Sequence, residues 1–96
     1  MSDIGVIATI RVLPGKEAEF EGVFAELAPA VRANEPGNSY YKLFRTAETG
    51  VYKVLECYDD EAAIAAHRAS DHFRSLGAKL GPCLAGAPEI ESLPAV

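Results

Sequence analysis

The sequence predicts an α+β fold, one antiparallel sheet with helices packed on a single face, and three observations carry that reading. Strand-like runs occur at Ile4 to Leu13, Ser39 to Thr46, Val51 to Tyr58, and around Ile90 and Leu93. The stretches between the first and second runs, and between the third and fourth, carry apolar residues at helical steps. Only AETG separates the second run from the third, which is a hairpin signal. The order is therefore strand, helix, strand, strand, helical region, strand. Two β-α-β halves around a central hairpin make a ferredoxin-like sandwich.

Each element has a local cause. IGVIATIRVL is apolar on both faces, as in a covered strand, and Pro14-Gly15 ends it. KEAEFEGVFAELAPAVRA places Phe20, Val23, Phe24, Leu27, Ala30 and Val31 on one helical stripe, with acids opposite. Pro29 removes one helical hydrogen bond and is expected to kink the last turn. Glu35-Pro36-Gly37-Asn38 reads as a stop and a turn. On the hairpin, Ser39, Tyr41, Leu43 and Arg45 share a face, as do Tyr52, Val54, Glu56 and Tyr58. Asp59-Asp60 caps a short helix, EAAIAAHR, and Ser70 caps another, DHFRSLGAKL, which Gly81-Pro82 stops. PEIESLP reads as a last short strand. The outer sheet face carries Tyr40, Lys42, Phe44, Val51, Lys53, Leu55 and Cys57, too apolar a mixture for open solvent. Two copies facing each other across a dimer axis would cover it.

Ninety-six residues make one domain, spanning 1–96, with a core lean enough that association is a natural complement. The net charge of −5 and the scattered lysines and arginines argue against nucleic acid or anionic membrane as a partner. Cys57 and Cys83 read as a pair of buried thiols, with a disulfide as the alternative though nothing marks a secreted scaffold, and their spacing is too wide for a Cys and His metal set. No basic-then-apolar leader and no run of about 20 apolar residues is visible, so a cytoplasmic location is expected.

Both histidines of the chain, His67 and His72, fall in AHRASDHF. They belong to the end of one helix and the first turn of the next, termini of opposite polarity. The Ser-Asp break allows both rings to turn toward one side, which an unbroken helix would forbid. Their expected meeting point is Glu56. If the face it shares with Val54 and Tyr58 meets the helices, the carboxylate is buried and needs a partner or a raised pKa. An edge position reaching solvent is the alternative. Tyr41, Tyr52 and Tyr58 share that side, as core or as groups orienting a substrate oxygen. Asn34 and Asn38 flank the turn, for turn chemistry or for a substrate carbonyl. Phosphate-cradling loops, dinucleotide fingerprints, G-x-S-x-G and Cys-x-x-Cys are all missing, which leaves general acid–base groups in a shaped pocket.

ANEPGNSYYKLFR and VYKVLECYDDEAAIAAHRASDHFRSL, with the Pro14-Gly15-Lys16 step, resemble the antibiotic biosynthesis monooxygenase domain family. That resemblance implies a dimeric α/β barrel of two ferredoxin-like subunits, each with a ligand cavity between sheet and helices. It implies that Asn38, Glu56, His67 and His72 belong to the cavity, with Tyr41 and Tyr58 as lining and Phe73 beside them. It also implies a cofactor-free, metal-free oxidation of a quinol-like substrate, with an imidazole or Glu56 as base. Tyr58 stands where many relatives carry tryptophan, which turns expectation away from the polyketide-oxidising and haem-degrading branches. Two alternatives remain. One is an isomerase of a small phosphorylated hydroxyketone, which needs Lys42, Arg45 or Arg68 at an anion corner. The other is a dimeric binding module whose own side chains fill the pocket.

Overall fold

The structure is a computed structural model and describes residues 3–96. Its elements are β1 (Ile4–Arg11), α1 (Glu17–Asn34), β2 (Asn38–Arg45), β3 (Val51–Tyr58), α2 (Glu61–Ala69), α3 (Asp71–Leu80) and β4 (Glu89–Pro94). A short 3-10 turn, Gly81–Cys83, follows α3. The four strands form one antiparallel sheet in the order β2-β3-β1-β4, the ferredoxin-like arrangement. β1 stops at Arg11, and Val12 makes an isolated bridge to Leu84.

The core lies between the sheet and α1. Phe20, Phe24, Leu27 and Val31, the stripe legible in the sequence, are almost fully buried against Ala8, Ile10, Tyr41, Tyr52 and Val54. Each such side chain contributes roughly 1.5–3 kcal/mol, so α1 is pinned along its length. α1 runs through Pro29 as one helix. Gly50, at φ 82°, closes the β2–β3 hairpin in a conformation that glycine takes at no steric cost.

α2 is held differently. It fully buries only His67, and most of its alanines are exposed. A nine-residue helix is marginal alone. It is fixed at its start by Asp60, whose carboxylate accepts from the Ala63 N–H at 2.8 Å. Gly37 lets it approach the turn after α1: a Cβ there would lie 2.6 Å from Cβ of Ala63. A cavity lies between these helices and the sheet, bordered by Ile64, His67 and Arg68 of α2 and by Phe73 and Gly77 of α3.

Candidate functional site

Ser70 makes the break that the sequence predicts. Its hydroxyl accepts from the Phe73 N–H at 3.3 Å and donates to the His67 carbonyl at 2.7 Å, so one residue closes α2 and opens α3. The two imidazoles do converge on one carboxylate. That carboxylate is Glu35, not Glu56. Nδ1 of His67 lies 3.0 and 2.9 Å from the two Glu35 oxygens, and Nε2 of His72 bonds Oε2 of the same group. Glu35 is 8 % exposed and His67 4 %. Carboxylate oxygens only accept, so the ring nitrogens facing Glu35 carry protons.

Glu35 reaches this place because it precedes Pro36. Its backbone is extended, at φ −123° and ψ 89°, as a residue before proline requires, and α1 ends there. Reading EPGN as a turn was correct but incomplete. The missed signal was electrostatic. An acid at a helix C-terminus faces the negative end of the dipole and needs cations or donors from elsewhere. The two histidines supply them across 32 and 37 residues of sequence.

Pinning Nδ1 leaves Nε2 of His67 without a protein partner. Among the described residues no side-chain nitrogen or oxygen is both sealed from solvent and unbonded, so Nε2 opens into the adjoining cavity. Tyr41 lines the same cavity, and its hydroxyl likewise has no protein partner and is not sealed from solvent. The His67 ring is boxed by Tyr41, Tyr58 and Phe73, with centroids 5.3, 5.6 and 4.5 Å away. The cavity measures about 210 Å³ and is walled mostly by Val6, Ala8, Phe24, Leu27, Val54 and Leu80. An apolar cavity of about 150 Å³ accepts benzene, so this one has room for a single substituted ring.

Glu56 lines the cavity too, half-buried on β3, and accepts from the Tyr58 hydroxyl at 2.5 Å. Burial pushes its carboxyl up to about 7, against the opposing pull of the Tyr58 bond and Arg68. Both remedies foreseen for a buried Glu56 are thus present, a partner and a raised pKa. Burial, then the charges of Glu56 and Glu35, push the Tyr41 hydroxyl up, so it stays a donor. Folding favours the protonated form of Glu56. The stability this confers is complete below about 4.5 and is lost as pH rises through about 7, roughly 3 kcal/mol in all. Denaturant unfolding across that range should show wild type losing stability relative to Glu56→Gln as pH rises. Parallel curves would refute it.

The remaining expected site residues lie elsewhere. His72 and Asn38 line a groove on the outer surface, not the cavity. The amide of Asn38 donates to the Tyr40 carbonyl at 3.1 Å, and that of Asn34 to Ala30 at 2.8 Å, so both are spent on backbone. Glu35, His67 and His72 are also the set whose donor atoms, all within 4.8 Å of one another, could surround a metal ion. Without an ion, the same three groups hold one another by hydrogen bonds. An ion there would displace the two ring protons that otherwise face Glu35.

Comparison with known proteins agrees with this architecture. The family described as antibiotic biosynthesis monooxygenase matches residues 3–79. The Bacillus subtilis (strain 168) protein "Putative monooxygenase YcnE" is 39% identical over 82 residues, 84% of either chain. A crystal structure of a "putative antibiotic biosynthesis monooxygenase" from Caulobacter crescentus CB15 superposes with a TM-score of 0.95 at 53% identity, covering 99% of this chain and 91% of that one. A conserved protein from Methanosarcina mazei Go1 gives 0.92 at 28% identity, covering 100% and 95%.

Proposed function

Because the chain belongs to the antibiotic biosynthesis monooxygenase family, we propose that it oxidises a small electron-rich phenol, in the simplest case a quinol, without a cofactor. One observation carries this reading: His67, oriented through Nδ1 by a buried carboxylate, presents Nε2 to an apolar cavity the size of one ring. In that position Nε2 takes the phenolic proton, and Glu35 stabilises the imidazolium that forms. The Tyr41 hydroxyl donates to the resulting oxyanion. Apolar walls exclude water from the anion as it passes electrons to dioxygen. A quinol and O₂ give a hydroxyquinone and water, so the substrate supplies every electron and His67 returns its proton to the departing oxygen. Glu56, titrating near 7, is suited to exchange a proton at the far side of the ring.

The reading includes a homodimer joined through the outer sheet face. Tyr40, Cys57, Gly5 and Leu93 form one cross-strand row there, and Tyr40, Phe44 and Leu93 are 44, 37 and 42 % exposed. Lys42, Lys53, Glu89 and Glu91 interleave both signs of charge on the same face, which suits self-association.

The isomerase alternative keeps one supporting observation, Arg68 at the cavity. Lys42 instead lies over the Phe44 ring on the outer face, 5.5 Å from its centroid, and Arg45 is tied to Glu21 at 2.8 Å. A single arginine is a poor cradle for a phosphate dianion. The unfilled cavity weighs against a purely structural module. Oxygen uptake by metal-stripped protein, mixed with a panel of quinols and sedimenting as a dimer, tests the proposal. Uptake above the uncatalysed rate is expected; none across the panel overturns it.

A further inference from the structure

The face that α2 turns to the cavity consists of Ile64, His67 and Arg68, set by steps of three and four residues. An arginine on that stripe is unexpected, since the rest of the wall is largely apolar. Arg68 is exposed overall yet borders the cavity, and it is the one lysine or arginine among the described residues that does. It is in none of the ion pairs found among those residues, which join Arg11 to Glu89, Arg45 to Glu21, and both histidines to Glu35. Lys and Arg stems lie along apolar surface while the charged head stays near water, so an exposed arginine that lines the cavity is expected to hold its guanidinium at the edge.

We propose that Arg68 makes the cavity selective for an anionic ring: a phenol or quinol whose carboxylate meets the guanidinium at the mouth while its hydroxyl meets His67. This deepens the oxygenase reading and rests on it for the ring, though not for the anion. Arginine is suited to a carboxylate because its planar fork donates two parallel hydrogen bonds. A net charge of −5 repels anions at long range, so any anion preference must arise locally. Burial disfavours charge on Glu56, and it equally disfavours a ligand carboxylate deep in the cavity, whereas Arg68, whose charge already acts on Glu56, favours an anion on its own side. Neutral rings lose nothing by entering, but gain nothing at the rim.

The test compares para-hydroxybenzoate with its neutral near-isostere para-hydroxybenzamide by calorimetry on the full chain. The acid should bind roughly ten- to a hundredfold more tightly, the value of a hydrogen bond to a charged partner. Arg68→Gln should erase the difference, and Arg68→Glu should reverse it. Equal affinities, a preference that survives Arg68→Gln, or no binding of either ring would overturn the proposal. Dihydroxyacetone phosphate is a third ligand; if it alone depends on Arg68, the anion is an aliphatic phosphate and the ring claim falls. Turnover separates the two readings. Binding of the acid without oxygen uptake from a carboxylated quinol sinks the oxygenase and leaves the anion site. Equal uptake from neutral and carboxylated quinols, indifferent to Arg68→Gln, sinks the anion site and leaves the oxygenase.

Discussion

His67→Asn will lower kcat for quinol oxidation by about 10²–10⁴-fold with KM little changed, the contribution expected of a positioned base. Asparagine isolates the chemistry. Its amide nitrogen, like Nδ1, is bonded to Cγ, so the donor that faces Glu35 is kept. The lone pair of Nε2 is lost. The box of Tyr41, Tyr58 and Phe73 loses part of a ring, which alanine would empty altogether. Steady-state oxygen uptake, with circular dichroism to confirm folding, measures the effect. A folded variant retaining more than about a tenth of wild-type kcat would remove His67 as the base.

Much of this architecture is legible in the sequence because its causes are local. The Phe20-Phe24-Leu27-Val31 stripe, the Asp60 and Ser70 caps and the AETG hairpin each involve residues close in the chain. The structure places these elements within about two residues of the expected bounds, the usual fraying of ends. The site is less legible because it is made by long-range contact. Both rings were expected to meet a carboxylate, and the strand pattern offered Glu56, whose face was right. Glu35 looked like part of a turn, since nothing within a few residues shows what lies beneath it. The cavity is lined by residues from every strand and helix, which meet only in the fold, and alternation within one element does not report a space between several. Asn38 shows the reverse error: its motif position suggests a ligand, but a bulge beside it, between Asn38 and Tyr40, leaves its amide bonded to its own strand.

Glu35 carries the heaviest consequences of any side chain in the site, and two substitutions separate its roles. Glu35→Ala leaves the Nδ1–H of His67 and the Nε2–H of His72 without their acceptor. Those side chains are 6 and 16 % exposed, so water replaces the carboxylate poorly for the first and partly for the second. At about 1–3 kcal/mol for each orphaned donor, the loss is roughly 2–5 kcal/mol. Small domains are stable by about 5–15 kcal/mol in total, so the alanine variant should unfold at markedly lower denaturant concentration. Glu35→Gln should cost less stability and yet lose most of the activity. Both rings meet Oε2, so an amide whose nitrogen takes that place donates where it must accept, and a ring facing it must present a lone pair. If that ring is His67, its proton moves to Nε2 and the base is gone. A comparable amide exchange in a serine-protease triad lowers kcat by about 10⁴ through the wrong tautomer. Long-range ¹H–¹⁵N spectra of the imidazoles read the tautomers directly. A glutamine variant that keeps both wild-type ring signals and full oxygen uptake would show that the carboxylate only braces the helices, and the base would then have to be sought at Glu56.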